Sequence, residues 1–266
     1  MYEFKYHRPT TLSEAAEIHS ATADAQYMAG GQTLLPSLKF RLSKPSDVID
    51  LASVSDLNFI RMEGDALLIG AATPHADVAA SETVRGTIPA LARLAGLIGD
   101  PQVRNCGTLG GAIANNDPAA DYPAAVVGLG ATVVTQDREI SGDDFFKDLF
   151  ETELNPGEII TRIDFSVPSR AAYSKFPNPA SRYAVVGVLV AQFDDGVRVG
   201  VTGAGPCAFR ATGIEEVLNS DLKPEAIDGV EVPDAGFNSD LHASAEYRAH
   251  LVKVMAKRAT AALIAD

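Results

Sequence analysis

Apolar and polar positions follow helical and extended periods in turn along the chain, which predicts a mixed α and β protein. Near the N-terminus, Thr11-Leu-Ser-Glu14 is a capping box, in which Glu14 reaches back to the Thr11 amide, and predicts a helix over EAAEIHSA. AQYMA and DVIDL predict strands. Between them, QTLLPSLKFRL predicts a helix that ends before Lys44-Pro45, because proline disfavours a helical residue in front of it.

The middle of the chain changes period several times. NFIRMEGDALLIGA has two extended apolar runs around Glu63-Gly-Asp65 and predicts a hairpin. PHADVAASETV and TIPALARLAGLI predict helices broken by Gly86, and AAVVGLG predicts a shorter one. ATVVTQ and EIITRIDF predict strands. The stretch GTLGGAIANNDPAADYP is rich in Gly, Asn, Asp and Pro, and its composition predicts a long loop.

The last third of the chain begins with a polar stretch and then predicts a hairpin and a long helix. The composition becomes polar through VPSRAAYSKFPNPASR, where we place a domain boundary. YAVVGVLVAQF and VRVGVTGAG flank Asp194-Asp195-Gly196 and predict a second hairpin, since such turns favour residues that tolerate positive φ. SAEYRAHLVKVMAKRATAALIA has apolar residues at helical spacing and predicts a terminal helix.

Charge and cysteine content narrow the possible partners. The 266 residues carry a net charge of -13, which repels phosphate backbones and anionic membranes, so we expect no nucleic-acid partner. The sequence shows no secretory signal and no run of about 18 apolar residues, which predicts a cytoplasmic protein without an integral membrane segment. Cys106 and Cys207 are too few for an iron-sulfur cluster, and we expect no metal site.

Two glycine pairs are the most informative motifs. In AGGQTLLP, Gly30-Gly31 separates a predicted strand from a helix, and such a junction cradles anions because amides of the first turn point at the ligand. Taken alone, this pair is better explained as a tight turn without a ligand. A second pair, Gly110-Gly111, follows a hydroxyl residue in RNCGTLGGA. Two cradles suit the two sides of a diphosphate, which makes a pyrophosphate-bearing cofactor the leading hypothesis.

Other chemistries find less support. GAGPCA, which begins at Gly203, fits the dinucleotide pattern G-x-G-x-x-A, but no second strand ending in an acidic residue follows it. The five histidines are scattered and are expected at the surface. Asp117 and Asp121 could form a catalytic carboxylate pair, yet turn and capping roles explain them equally well. No catalytic residue is predicted.

Four separated motifs resemble those of a known family. AGGQTLLPSLKFRL with PSDVIDL, PQVRNCGTLGGAIANNDPAADYPAAVVGLGATVV, AYSKFPNPASRYAVVGV and SAEYRAHLVKVMAKRA resemble the FAD-binding medium subunits of the molybdenum hydroxylases (the xanthine dehydrogenase and carbon monoxide dehydrogenase family), and most of all the carbon monoxide dehydrogenase type. The resemblance implies an α+β fold. Residues 1–168 would be a FAD-binding domain of the vanillyl-alcohol oxidase type, with subdomains of about 1–55 and 56–168, and residues 169–266 a small α+β C-terminal domain.

The resemblance also implies which residues contact FAD. Asp121 would lie at the adenosine end, Ile160 would contact the adenine side through its backbone, Lys175 would lie near the flavin, and Tyr183 beside the isoalloxazine face. A core position explains Ile160 or Tyr183 equally well, and a solvated strand end explains Lys175. Two loops would hold the diphosphate, the first formed by Ala29, Gly30, Gly31, Gln32, Thr33 and Leu34 and the second by Thr108, Leu109, Gly110, Gly111 and Ala112.

The function that the resemblance implies is electron transfer within an oxidoreductase complex. A large subunit with the molybdenum cofactor oxidises the substrate, a small subunit carries two 2Fe-2S clusters, and the FAD of this chain collects the electrons for an external acceptor. The three subunits would form a heterotrimer that dimerises. Two alternatives are a free-standing flavin-dependent oxidoreductase on the same fold and an assembly protein that has lost FAD.

Overall fold

The computed structural model describes residues 1–265, which form helices and strands arranged in four sheets. The helices are α1 (Leu12–Ser20), α2 (Leu34–Lys39), α3 (His75–Ala80), α4 (Glu82–Thr87), α5 (Pro89–Gly96), α6 (Pro101–Cys106), α7 (Leu109–Asn115), α8 (Tyr122–Gly128), α9 (Gly142–Phe145), α10 (Thr212–Ser220) and α11 (Ala245–Ala265). The strands are β1 (Lys5–His7), β2 (Ala25–Met28), β3 (Asp47–Asp50), β4 (Ile60–Glu63), β5 (Ala66–Gly70), β6 (Thr132–Thr135), β7 (Glu139–Ser141), β8 (Phe146–Asp148), β9 (Glu151–Thr152), β10 (Ile160–Ser166), β11 (Arg170–Pro177), β12 (Ala184–Phe193), β13 (Gly196–Thr202) and β14 (Phe209–Arg210).

The N-terminal sheet is parallel and has the order β1-β3-β2. Its central strand β3 is buried throughout, and Ile49 packs in a small core with Ala15 of α1. Helix α1 begins at the predicted capping box, where the Thr11 hydroxyl accepts from the Glu14 amide at 3.2 Å. The Glu14 carboxylate accepts from the Thr10 amide at 2.8 Å, one residue earlier than predicted. The flanking strand β1 was not predicted.

The second sheet is antiparallel and has the order β4-β5-β10-β6-β7. It contains the predicted hairpin, which turns at Gly64 with φ +58°. Leu67 and Ile69 of β5 and Ile163 of β10 lie in the largest core, together with buried residues of α5 and α8.

The third sheet is antiparallel, with the order β11-β12-β13-β14, and contains the second predicted hairpin. Its long strand β12 is apolar at successive positions because both of its faces are covered. Val186 and Val188 share a core with the terminal helix α11, whereas Leu189 belongs to the core that contains α8. Strand β11 lies in the polar stretch where we placed the domain boundary and was not predicted; the boundary at residue 168 remains a prediction.

The long loop predicted over GTLGGAIANNDPAADYP is wrong. Helix α7 begins inside it, because the Thr108 hydroxyl accepts from the Gly111 amide at 3.1 Å and caps the first turn. The helix ends at Asn115, and the C-cap residue Asn116 is left-handed with φ 43°. The Asn116 amide group donates to the carbonyls of Asp148 and Glu151, at 2.8 Å each, which compensates for that conformation. Only residues 116–121 remain irregular before α8 begins.

Helix α8 joins the third sheet to the rest of the fold through a backbone contact. A Cβ atom on Gly200 of β13 would lie 2.2 Å from the carbonyl oxygen of Ala124 and 2.7 Å from the amide nitrogen of Gly128. Any larger residue at position 200 would therefore push the helix away from the strand.

We expect Gly200→Ala to lower the free energy of unfolding by about 1–3 kcal/mol, because the added methyl overlaps the backbone of α8. Urea denaturation of both proteins measures this difference. Gly86→Ala is the matched control, since nothing lies within 4 Å of its Cβ position in α4, and it should raise stability by about 0.5–1 kcal/mol. Equal behaviour of the two variants would contradict the proposed backbone contact.

The buried carboxylate of Glu158 stabilises the segment before β10 through hydrogen bonds. Glu158 accepts from the Arg138 guanidinium at 2.9 Å, from the Thr135 hydroxyl at 2.7 Å and from the Asn155 amide at 2.8 Å. The hydrogen-bonded guanidinium lowers the pKa of Glu158 from 4.5 to about 2, although burial opposes this shift. The contact therefore stabilises the fold only while Glu158 is ionised.

This carboxylate predicts a specific acid sensitivity. Because the pKa of Glu158 is lower in the folded state, its stabilisation is complete above about pH 4.5 and declines as the pH falls toward 2. The shift sets an upper limit of about 3 kcal/mol. The difference in unfolding free energy between wild type and Glu158→Gln should shrink over that range. Glu63→Gln, at an exposed ion pair, should show no such trend; a constant difference for Glu158→Gln would refute the assignment.

Candidate cofactor-binding site

A cleft of about 580 Å³ brings both glycine loops to one place. This volume lies within the range of cofactor pockets. The residues that line it include Ala29 to Leu34 after β2, Thr108 to Ala112 without Leu109, Asp121, Ile160 and Tyr183. The fold therefore collects most of the predicted site residues, which lie more than 150 positions apart in the chain, around one space.

The first loop lines the cleft and carries unpaired backbone donors. Among residues 1–265, the amides from Ala29 to Leu34 donate to no protein acceptor. Gly31 has φ +68°, a conformation that glycine adopts without strain. Successive amides that point into one concavity form an anion site, because each N–H group needs an acceptor that the protein does not supply.

The backbone amides of the second loop, unlike those of the first, are already paired. Each amide from 109 to 112 already has a protein acceptor at 2.8–3.1 Å. This loop presents the hydroxyl of Thr108 to a ligand. The hydroxyl oxygen accepts from the Gly111 amide, and its proton is free to donate. Of the two loops, only the first therefore has open amides; that both loops hold a diphosphate stays a prediction.

The glycines also have a role that the sequence did not indicate. A Cβ atom on Gly30 would lie 2.0 Å from the carbonyl oxygen of Cys106, and one on Gly110 would lie 2.5 Å from the Cβ of Ala71. A Cβ on Gly111 would meet the side chain of Ala29 at 3.4 Å. Glycine at 30 and 110 is thus required by contacts between protein segments, a reason that neither a tight turn nor the approach of a ligand supplies.

Asp121 and Lys175 form a buried ion pair at the wall of the cleft. The Lys175 ammonium donates to Asp121 at 2.9 Å and to the Leu97 carbonyl at 3.1 Å, and the Tyr173 hydroxyl donates to Asp121 at 2.6 Å. Burial raises the pKa of Asp121, and the ammonium and the hydroxyl oppose that rise. Asp121 lines the cleft, but Lys175 lies behind it, so Lys175 is neither a solvated strand end nor a residue of the lining.

Strand pairing explains how Tyr173 reaches Asp121. Tyr173 and Lys175 are two apart on β11 and therefore point to the same face of the sheet, toward Asp121 at the start of α8. A Cβ on Gly187 of β12 would lie 2.2 Å from the Tyr173 hydroxyl oxygen. The absence of a side chain at Gly187 leaves room for this hydroxyl.

A double-mutant cycle tests this arrangement. We expect Tyr173→Phe to lower the free energy of unfolding by about 1.5–3 kcal/mol, because it removes a hydrogen bond to a buried carboxylate. Gly187→Ala should cost about 1–3 kcal/mol by displacing the hydroxyl. The double variant should cost less than the sum, since the clashing oxygen is gone. Strictly additive losses in urea denaturation would show that the two residues act independently.

Of the remaining predicted residues, Ile160 and Tyr183 line the cleft and Leu109 does not. Ile160 is buried and lines the cleft at the start of β10, and Tyr183 lines its rim with about half of its surface exposed. A core position for Tyr183 is therefore wrong. Leu109 is fully buried, belongs to the largest core and does not line the cleft.

Two polar residues of the cleft wall were missed. His75 and Tyr122 are buried, and the Nδ1 atom of His75 and the hydroxyl of Tyr122 have no partner among residues 1–265. Their rings lie 5.2 Å apart. Burial lowers the pKa of His75 to about 4, and Arg104 adds to this effect, so the imidazole is neutral at pH 7. The predicted surface position of His75 is wrong, and its sequence context carries no signal that would have placed it here.

Comparison with known proteins shows the family. Residues 2–169 match the family model described as the FAD binding domain in molybdopterin dehydrogenase. The chain is 33% identical to the carbon monoxide dehydrogenase medium chain of Hydrogenophaga pseudoflava, over 96% of this chain and 95% of that one. It is 32% identical to the glyceraldehyde dehydrogenase medium chain of Sulfolobus acidocaldarius, over 97% of both.

Solved structures of the same family have the same fold as this chain. The fold matches a chain of the crystal structure of Cu,Mo-CO dehydrogenase with a TM-score of 0.91 and 31% identity, over 98% of each chain. The protein belongs to the family of FAD-binding subunits of molybdenum hydroxylases. It is an oxidoreductase subunit with an α+β fold, and its cofactor is FAD.

Residues 1–265 contain neither a membrane-spanning helix nor a cluster of metal ligands. No helix there is both long and apolar enough to span a bilayer. No group of three or more His, Cys, Asp or Glu side chains in those residues is arranged to hold a metal ion.

Proposed function

We propose that this chain passes electrons through FAD, from the 2Fe-2S clusters of a small partner subunit to an external acceptor. In this proposal a large partner subunit with a molybdenum cofactor oxidises the substrate, and the three chains form a heterotrimer that dimerises. The observation that carries the proposal is the row of unpaired amides from Ala29 to Leu34 at the mouth of the cleft. These donors fit the diphosphate of FAD, because phosphate oxygens are acceptors and carry negative charge.

The other residues of the cleft fit the rest of the cofactor. We infer that the Thr108 hydroxyl donates to the diphosphate from the opposite side, and that Asp121 accepts from a hydroxyl of the adenosine end. Ile160 would contact the adenine side through its backbone, and the exposed ring of Tyr183 would cover the isoalloxazine face. Flavin supplies the ability to accept electrons one at a time and to release them in pairs.

Lys175 contributes to the site through Asp121. Its ammonium lies 2.9 Å from that carboxylate and is buried, so it holds the negative charge in place without facing the cleft itself. Tyr173 fixes the same carboxylate from a second direction. A charge held by two partners keeps its orientation when a ligand enters, which preserves the geometry of the site.

The names of the relatives span several substrates, including glyceraldehyde, nicotine and carbon monoxide. Their medium chains nevertheless share about a third of their residues with this one. We therefore propose that the substrate is recognised by the partner that holds molybdenum, and that this chain places no restriction on it.

Two left-handed glycines provide a matched test of the cradle. Gly31→Ala should raise the dissociation constant of FAD about tenfold or more, because it distorts the row of open amides. Gly64→Ala should leave FAD affinity unchanged, since Gly64 has φ +58° in a remote hairpin with no atom within 4 Å of its Cβ position. Both variants should lose roughly 1–2 kcal/mol of stability.

Flavin absorption and fluorescence titrations measure the affinities, and urea denaturation measures the stabilities. If Gly31→Ala and wild type bind FAD with equal affinity, the diphosphate does not bind at the first loop. Equal weakening in Gly64→Ala would show that general destabilisation causes the loss.

Reduction of the flavin tests the electron-transfer role. When the oxidisable substrate is added to the assembled complex, the flavin absorption band should bleach, and omission of the small 2Fe-2S subunit should abolish that bleaching. Bleaching of this chain alone, without either partner, would instead establish a free-standing flavin oxidoreductase. Assembly without any flavin band would support the second alternative, an assembly protein that has lost FAD.

A further inference from the structure

One surface of the chain combines exposed apolar side chains with cations. Phe40 and Leu42 expose 78% and 81% of their surface, more than most large apolar residues of the chain. Two cations lie over the half-exposed ring of Tyr2, with the Arg41 guanidinium 5.5 Å and the Lys44 ammonium 5.2 Å from its centroid. We call this area the Phe40 surface and define it by Tyr2, Lys39, Phe40, Arg41, Leu42 and Lys44.

The backbone of this surface holds its side chains in an unusual arrangement. Helix α2 ends in a Schellman motif, in which the Leu42 amide donates to the Ser37 carbonyl at 2.9 Å and the Arg41 amide to that of Leu38 at 3.2 Å. The left-handed position of this motif is commonly glycine, but here it is Arg41 with φ 61°. The residue that follows commonly packs against the helix, but here it is the exposed Leu42.

The charge of the surface opposes that of the whole chain. Lys39, Arg41 and Lys44 are exposed here, whereas the chain as a whole carries -13. Cations concentrated on an acidic protein attract an acidic surface over several ångströms and orient it. Aromatic residues and arginine are also enriched at the centres of protein interfaces.

The surface lies beside the cofactor cleft. Helix α2 spans six residues and is therefore about 9 Å long. Its first turn follows the row of open amides, and its last residue, Lys39, begins the Phe40 surface. Ser37 and Ser43 line the cleft itself. A molecule that docks on the Phe40 surface therefore lies next to the site of FAD.

We propose that the Phe40 surface docks the small iron-sulfur subunit, through a face of that subunit that is apolar at its centre and acidic at its rim. This inference rests on the proposed function. A second copy of this chain fits less well, because a two-fold contact would place the cations of one copy against those of the other. An anionic membrane also fits less well, since the net charge of the chain repels it.

Site-specific cross-linking identifies the occupant. A photoreactive residue placed at Leu42 in the assembled complex should form cross-links to the small iron-sulfur subunit, and mass spectrometry of the peptides should place them in an acidic segment. The same residue at Leu241, which is 90% exposed and lies on the C-terminal part, is the control and should form none to that segment.

Substitutions then test the contribution of the surface to assembly. Phe40→Ser with Leu42→Ser should weaken binding of the iron-sulfur subunit about tenfold or more, and Arg41→Gly should weaken it in a salt-dependent manner. Arg41→Gly is informative because glycine suits the left-handed position, so the fold should keep or gain stability. FAD content should be unchanged in both variants, and Leu241→Ser should assemble like wild type.

Several outcomes would overturn the proposal. Cross-links from Leu42 to the large subunit, to a second copy of this chain or to nothing in an assembled complex would refute the docking assignment and leave the proposed function intact. Normal assembly of the Phe40 surface variants would likewise refute the docking assignment and leave the proposed function intact. Failure of the wild-type chain to assemble with any partner would refute both proposals together.

Discussion

The cleft depends on the contact between two chain segments that meet without side chains. Gly30 lies against the Cys106 carbonyl and Gly110 lies against Ala71, and a Cβ at either position would overlap protein atoms. The Gly30 contact and the approach of Gly111 to Ala29 hold the two loops together, and the Gly110 contact packs the second loop against the segment after β5. The amides of the first loop have no protein acceptor among the described residues, and the residues that carry them line the cleft. Packing between segments and ligand binding therefore require glycine at neighbouring positions for different reasons.

The C-terminal sheet supports the wall of the cleft, although only the connection between β11 and β12, residues 181–183, lines the cleft. Tyr173 and Lys175 reach from β11 to Asp121, and Gly200 of β13 packs on the backbone of α8, which follows Asp121. A buried carboxylate without partners would be costly, so the sheet and the wall of the cleft stabilise each other. The sheet also shares one core with the first part of the chain, which makes the two parts one packing unit at this point.

Predictions from the sequence succeeded where local signals dominated. The two hairpins have turn residues that tolerate positive φ, and α1 has a capping box, so these elements are specified within a few residues. The prediction failed around Gly110, where glycine, asparagine and proline indicated a loop. There, a threonine cap and the hydrogen bonds of Asn116 to Asp148 and Glu151 support a helix that composition alone does not favour. His75 was misplaced because burial by tertiary contacts leaves no trace in its neighbours.

By itself, the sequence determined the α+β class, the main strands and helices, the family and its cofactor, because turn chemistry, hydrophobic period and short motifs are local properties. Only the tertiary structure decided that the open amides belong to the first loop alone, that the Lys175 ammonium is buried against Asp121, and that Leu109 is a core residue. Hydrogen-bond partners and burial depend on segments that are distant in the chain. The physical reason is that a donor is open or paired according to what the fold brings within about 3 Å of it.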